Sequence, residues 1–404
     1  MGNTPLGWAA ENGHEEVVEL LLRRDDIKPN KAGEDGQTPL FLAARGGHEG
    51  IVKMLLERDD VDPNKSDDEG ETPLCCASWK GHEGVVKILL DRDDIDPDKA
   101  DDDGPPISLA AFFHHEGVVK ILARGGANPN NPDGRGRTPL WLAACSGDEE
   151  MVKTLLGLNA VNPETPDYRG QTPLSCAAEN GDDGVVKIFL GRDDVNPDKP
   201  DNEGNTPLRY AAFKGNERVV EMLLEQDNVN PDNSNKKGQT PLLWAAGGGH
   251  EGVVKMLLGR KDVNPDPLDM NGQTPLRWAV ETGRPEVVNL FLERDDVNPN
   301  TSDGKGQTPL RWAVVSGSTG MVKILLERDN VNPNTSDENG KTPLHYAALY
   351  GRVEAVRMLL ERDDLDPNKT DVDGQTPLSY AIRNGNTRVI ALLQPQAAAT
   401  RSMD

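Results

Sequence analysis

Aromatic side chains make up only 4% of this 404-residue chain, and cysteine occurs four times, at Cys75, Cys76, Cys145 and Cys176. So few rings argue against one large core and for many small, similar layers. The cysteines show neither metal-ligand spacing nor a disulfide framework, so a reducing compartment is expected, the cytoplasm or the nucleus. No apolar run is long enough to span a bilayer, and the N-terminus carries no basic-then-apolar secretory signal. Met1-Gly2 opens like a myristoylation site, but Leu6 stands where Ser or Thr is required. Basic residues are in deficit: 44 Lys and Arg face 68 Asp and Glu, a formal net charge of −24. Such a field repels phosphate backbones, so neither nucleic acid nor an anionic membrane is an expected partner. The acidic pairs lack the ligand spacing of a calcium loop. Nucleophile elbow, phosphate loop and metalloprotease helix are all missing from the sequence. Neither catalysis nor a cofactor nor a metal is expected.

What is plentiful is punctuation. The triplet Thr-Pro-Leu occurs eleven times, at Thr4, Thr38, Thr72, Thr138, Thr172, Thr206, Thr240, Thr274, Thr308, Thr342 and Thr376, almost always 34 residues apart. The gap from Thr72 to Thr138 is 66 residues, two periods less two. Length alone would suggest two or three domains, but a fixed period in this range means a solenoid of stacked repeats. A Gly stands two residues before each Thr, as at Gly36, and reads as the tight turn of a finger-like loop. Thr is a good helix cap and Pro a good first helical residue, so Thr38-Pro39 starts a helix twice over. The Ala43-Ala44 pair keeps that helix thin, and Gly47 ends it. Ile51, Val52, Leu55 and Leu56 then give a second helix one apolar face. An Asp-rich loop, Arg58 to Asn64, closes the unit at Pro63. Five histidines, His14, His48, His82, His115 and His250, recur at one repeat position, which fits a structural role.

The unit Gly-x-Thr-Pro-Leu-x-x-Ala-Ala-x-x-Gly-His-Glu-x-Val-Val-Lys-x-Leu-Leu, nearly complete from Gly36 to Leu56, resembles the ankyrin repeat. The resemblance implies an all-α solenoid of about twelve helix-turn-helix units with finger-like β-turn loops, spanning residues 1–393 ahead of a loose tail at 394–404. Within it the unit at about 102–130 is degenerate: Gly104-Pro-Pro-Ile lacks one residue, read as the capping Thr. Its closing loop, Arg124 to Asn130, is also short, so this unit is expected to be the weakest. The chain opens inside a finger loop and has no dedicated polar cap, so its ends are exposed or it belongs to something longer. Residues Gly36–Asn64 and Gly238–Asp266 agree at 21 of 29 positions, a sign of recent duplication. The Asp-Asp-Val-Asp-Pro-Asn loops and Trp-Ala-Ala helices are similar to the arrays of filamentous-fungal NACHT-type receptors.

The resemblance implies a non-catalytic scaffold, a monomer binding a protein partner along its concave groove; the alternative is the sensor segment of a larger NACHT-type receptor. Ankyrin partners lie along the finger tips and the exposed side of the first helix. Three sets of residues match that surface. Arg135, Arg137, Arg169, Lys237 and similar residues make the later fingers basic against the acidic Asp35, Glu69 and Asp103. Three residues after the Thr stand Phe41, Trp141, Arg277 and Arg311, and His345 keeps the usual His. Seven or eight residues after it stand Trp79, Phe112, Phe113, Phe213 and Tyr350. Phe41, Trp79, Phe112, Phe113 and Trp141 are expected to form one aromatic stripe. The position four residues after the Thr, which includes Trp8, Trp244, Trp278 and Trp312, is expected inside the stack.

Overall fold

The computed structural model describes residues 4–33 and 35–400, with side chains as far as Pro395; Met1 and the turn Gly2 lie outside the described residues. It holds 24 helices, with no strand among the described residues, in two compact units, Met1–Asn202 and Glu203–Asp404. The first contains α1 (Pro5–Glu11), α2 (Glu15–Leu22), α3 (Pro39–Gly46), α4 (Glu49–Leu56), α5 (Pro73–Lys80), α6 (Glu83–Leu90), α7 (Pro106–Phe112), α8 (Glu116–Arg124), α9 (Pro139–Cys145), α10 (Glu149–Leu156), α11 (Pro173–Asn180) and α12 (Asp183–Leu190). The second contains α13 (Pro207–Lys214), α14 (Glu217–Leu224), α15 (Pro241–Gly248), α16 (Glu251–Leu258), α17 (Pro275–Glu281), α18 (Pro285–Leu292), α19 (Pro309–Ser316), α20 (Thr319–Leu326), α21 (Pro343–Leu349), α22 (Val353–Leu360), α23 (Pro377–Arg383) and α24 (Thr387–Thr400). Within each unit, first helices pack on first helices and second on second: α3 on α5 and α4 on α6 in one, α15 on α17 and α20 on α22 in the other.

The local chemistry works as the repeat predicts. Thr38 accepts the Phe41 amide at 3.1 Å, Pro39 is the first helical residue, and Gly47 closes α3 at φ +71°. Ala43 and Ala44 are fully buried, as are Ile51, Val52 and Leu55. The recurring His ties neighbouring repeats together: His48 Nε2 lies 3.0 Å from the Glu11 carbonyl and His82 Nε2 3.1 Å from that of Arg45. The Asp-rich loop is a clasp. Arg58 grips Asp60 at 2.8 and 2.9 Å and donates Nη1 to the Leu22 carbonyl at 3.2 Å. It thereby serves the negative end of the preceding repeat's second helix. Arg92, Arg260, Arg294 and Arg362 do the same. In the fingers, a carboxylate three residues before the Gly organises the turn: Asp67 Oδ1 accepts the amides of Glu69 and Glu71 at 3.0 and 2.9 Å.

The fourth repeat departs from this pattern more than its sequence suggested. Pro105 occupies the cap position of α7, with no side-chain cap bond. The deleted residue is therefore the one between Gly and cap, held by Glu71 and Arg137 in the flanking repeats, and not the cap itself. His114 replaces a C-capping Gly at φ +62°, a conformation that costs an L-residue energy. Adjacent fingers elsewhere share a backbone bond, such as Asp68 to the Asp35 carbonyl and Tyr168 to that of Arg135, both 3.1 Å. Among the described residues no such bond joins the fourth finger to either neighbour. At the far end, the tail expected from Gln394 is helical as far as Thr400, where three alanines favour helix.

Candidate protein-interaction surface

Each first helix carries two rows of side chains at the positions expected to face a partner, and they differ in fate. The row three residues after the Thr is covered by the loop of the following repeat. Trp141 Nε1 donates to the Gln171 carbonyl at 2.9 Å, Ser108 Oγ to that of Asn131 at 3.2 Å, and Cys75 Sγ to that of Lys99 at 3.3 Å. Phe41 is consequently 1% exposed and Trp141 7%. This corrects the expected stripe: both rings belong to the stack and are not offered to a partner. The row seven or eight residues after the Thr lies beyond the reach of that loop. Phe112 and Phe113 are 48% and 40% exposed.

In the first unit these two exposed rings form one cluster with the half-buried Trp79. Trp79 meets Phe113 edge-on at 5.7 Å, and Phe113 meets Phe112 at 5.0 Å. They make one wall of a groove of about 830 Å³. The lining that the fingers contribute is acidic: Asp68, Glu69, Glu71, Asp101, Asp102, Asp103 and Asp133. The basic residue there, Arg137, is held by Asp133 at 2.6 Å. Burial is the main force raising the Glu71 carboxyl to about 7, and the neighbouring Asp101 and Asp67 add to it. Burial also raises Asp101, against amide bonds from Gly104 and Asp103. The groove opens where the fourth repeat lacks a finger residue and its finger lacks backbone partners. In sequence the finger deletion accounts for one of the two residues missing from the repeat period, a mark of irregularity that did not by itself point to a groove.

The second unit pairs the third position with the fourth position of the next repeat. Arg209 lies 4.4 Å over the ring of Trp244, Arg277 4.6 Å over Trp312, and Arg311 4.3 Å over Tyr346. Each cation belongs to the third position after a Thr, and each ring to the fourth position of the next repeat. Such stacking is favourable by cation–π attraction. Arg277, expected to face a partner, is 2% exposed. It forms an ion pair with Glu281 at 3.2 Å, although its Nε and Nη1 have no aligned hydrogen-bond acceptor. Arg311 is half-buried and donates to Gln307 at 2.8 Å. The rings expected in the stack are only partly there: Trp278 and Trp312 are half-buried, and Trp8 of the first unit is 61% exposed. Position four is buried where it holds Leu42, Cys76, Leu142, Cys176 or Tyr346; the larger Trp rings reach the rim of the stack, and in the second unit an arginine lies over Trp244 and Trp312.

Of the remaining expected contacts, Phe213 is 39% exposed and meets Trp244 edge-on at 5.0 Å. Tyr350 is 51% exposed and stacks on Tyr346. Arg135, Arg169 and Lys237 stand exposed on their fingers. The cysteines need a correction. Cys145 and Cys176 are disulfide-bonded, their Cα atoms 5.3 Å apart, within the range a disulfide requires. Stacking brings the last residue of α9 beside the second turn of α11, a juxtaposition that 31 residues of separation conceal. Cys75 and Cys76 are free and buried.

Among the described residues, no group of three or more His, Cys, Asp or Glu is placed to hold a metal, and no helix is long and apolar enough to cross a membrane. The family model for ankyrin repeats (3 copies) matches residues 6–101, 96–167, 158–233, 227–303, 294–371 and 336–403. A stretch of 50 residues is 48% identical to the potassium channel KOR1 of Oryza sativa subsp. japonica, covering 12% of this chain and 6% of the channel.

Proposed function

The chain belongs to the ankyrin-repeat family, whose arrays generally mediate protein–protein interaction, and from that premise we propose that it is a non-catalytic scaffold docking a protein partner in the groove of its first unit. The observation that carries this is the cluster of Trp79, Phe112 and Phe113 on one wall of that groove. Exposed aromatic clusters of this kind are the usual anchors of interfaces. A monomer in the cytoplasm or nucleus is the proposed state, with Cys145–Cys176 closed only under oxidising conditions. The test is affinity capture with the wild-type chain and with Phe112→Ala/Phe113→Ala, after matching their melting curves. Proteins lost selectively by the variant are the expected result. An unchanged set of captured proteins overturns the groove as the docking site.

The likeness of the Asp-rich loops to NACHT-type receptor arrays, together with the near-identity of repeats two and eight, supports a second reading. In it the array is the sensor segment of a larger receptor. An in-frame nucleotide-binding domain upstream of Met1 in the gene is the expected finding, and a stop codon there removes this reading.

A further inference from the structure

The first-unit groove is asymmetric in a way that specifies its occupant. One wall is apolar and aromatic, the other carries six carboxylates besides the Asp133–Arg137 pair. Glu71 stands where the other repeats place Gln, Asn, Arg or Lys before the Thr, so its charge is particular to this groove. Asp101, Asp102 and Asp103 come from the finger whose backbone is free of its neighbours. Lys80 already lies 3.6 Å over the Trp79 ring, which shows that this ring accepts a cation on its face.

We infer that the groove takes a basic, extended segment of a protein partner, with Lys or Arg side chains against the acidic wall and an adjacent apolar side chain on the Trp79–Phe112–Phe113 wall. The inference rests on the docking site proposed above and names its occupant. Carboxylates clustered in a concavity attract a cation more strongly than the same charges on a convex surface. An apolar anchor between the charges fits the exposed rings, which a purely polycationic strand would leave wetted. An anionic segment would meet uncompensated carboxylates along its whole length. Binding a cation also favours ionised Glu71. The groups facing it are Arg45 from α3, Asp67 from its own finger, Asp101 from the next and Cys76 from α5. None of these supplies a free base in the groove, because Arg45 is itself held by Glu11 at 2.7 Å.

The probe is a labelled twelve-residue peptide with four arginines around one leucine, titrated into the full chain by fluorescence anisotropy. Companion peptides carry glycine for the leucine, or glutamates for the arginines. The expected result is saturable binding of the first peptide, weakened about tenfold or more by Glu71→Gln/Asp101→Asn and equally by Phe112→Ala/Phe113→Ala. Removing the same charge elsewhere, with Glu225→Gln/Asp227→Asn, leaves affinity unchanged. Equal losses with that control variant mean attraction by net charge alone and overturn the inference, as does preference for the glutamate peptide. In the capture experiment, loss of the partner with the phenylalanine variant but not with Glu71→Gln/Asp101→Asn keeps the docking site and removes the basic occupant. Retention with both removes both.

Discussion

The two units carry their clustered rings on different rows of the repeat, four residues after the Thr in the second and seven or eight after it in the first, and they use them differently. In the second unit Trp244, Trp312 and Tyr346 each lie under an arginine from the preceding repeat. In the first unit the third position holds Phe41, Cys75, Ser108, Trp141 and Ser175, none of them a cation; the cation over Trp79 is Lys80, its own neighbour in sequence. Whether a position-four ring is covered by an arginine therefore depends on the residue one period before it. The first unit also holds all four cysteines, and its fourth repeat lacks both the helix cap and the finger-to-finger bonds.

The largest test of this contrast is the disulfide. Opening Cys145–Cys176 with reductant, or by Cys145→Ala/Cys176→Ala, removes a cross-link closing about thirty residues, worth about 3–4 kcal/mol by loop entropy. The expected outcome is a lower melting transition for the first unit and an unmoved one for the second. A shift common to both would dissolve the distinction. Next in size, Arg277→Ala uncovers Trp312 and empties the space of a side chain that is 2% exposed, and should cost about 2 kcal/mol in denaturant unfolding. Arg277→Met keeps the cover without the buried charge and should cost far less. If Phe112→Ala costs as much as Arg277→Ala, the first-unit rings are scaffold too.

A smaller effect concerns the fourth repeat. Pro105→Thr restores a side-chain cap at an extended φ of −72° and ψ of 157°, and should stabilise by about 0.5–2 kcal/mol. In the parent chain, amide exchange over residues 100–130 should be faster than over residues 238–270. Equal protection would contradict the weakness assigned to that repeat. The smallest effect is a pH slope. The Glu71 carboxyl lies at about 7 in the fold against an ordinary 4.5. The folded state thus holds the proton more tightly than the unfolded one, and stability falls as pH rises from about 4.5 to about 7, then levels. Glu71→Gln should flatten that slope and raise stability at pH 8 by about 1 kcal/mol, a figure reduced for its partial exposure. A steeper slope in the variant would refute the assignment.

Much of the architecture was legible because its causes are local. Thr, Pro and Gly act on the backbone within a few residues, so helix starts, helix ends and finger turns follow from the repeat unit, and so do the apolar faces of the second helices. The period two residues short marked the fourth repeat as irregular, but nothing in the sequence singled out the groove beside it. Tertiary structure decided the rest. Positions three and four after the Thr are adjacent in sequence, and only the stacked neighbour decides that Phe41, Trp141 and Arg277 are buried while Trp244, Trp278 and Trp312 stay half-buried. That neighbour turned Phe41, Trp141 and Arg277 from expected contacts into scaffold. The Cys145–Cys176 pair and the arginine-over-ring ladder likewise join residues about one period apart, and the acidic wall gathers three successive fingers. Chemical type is fixed along the chain, but burial depends on which atoms the stacked neighbour lays against it.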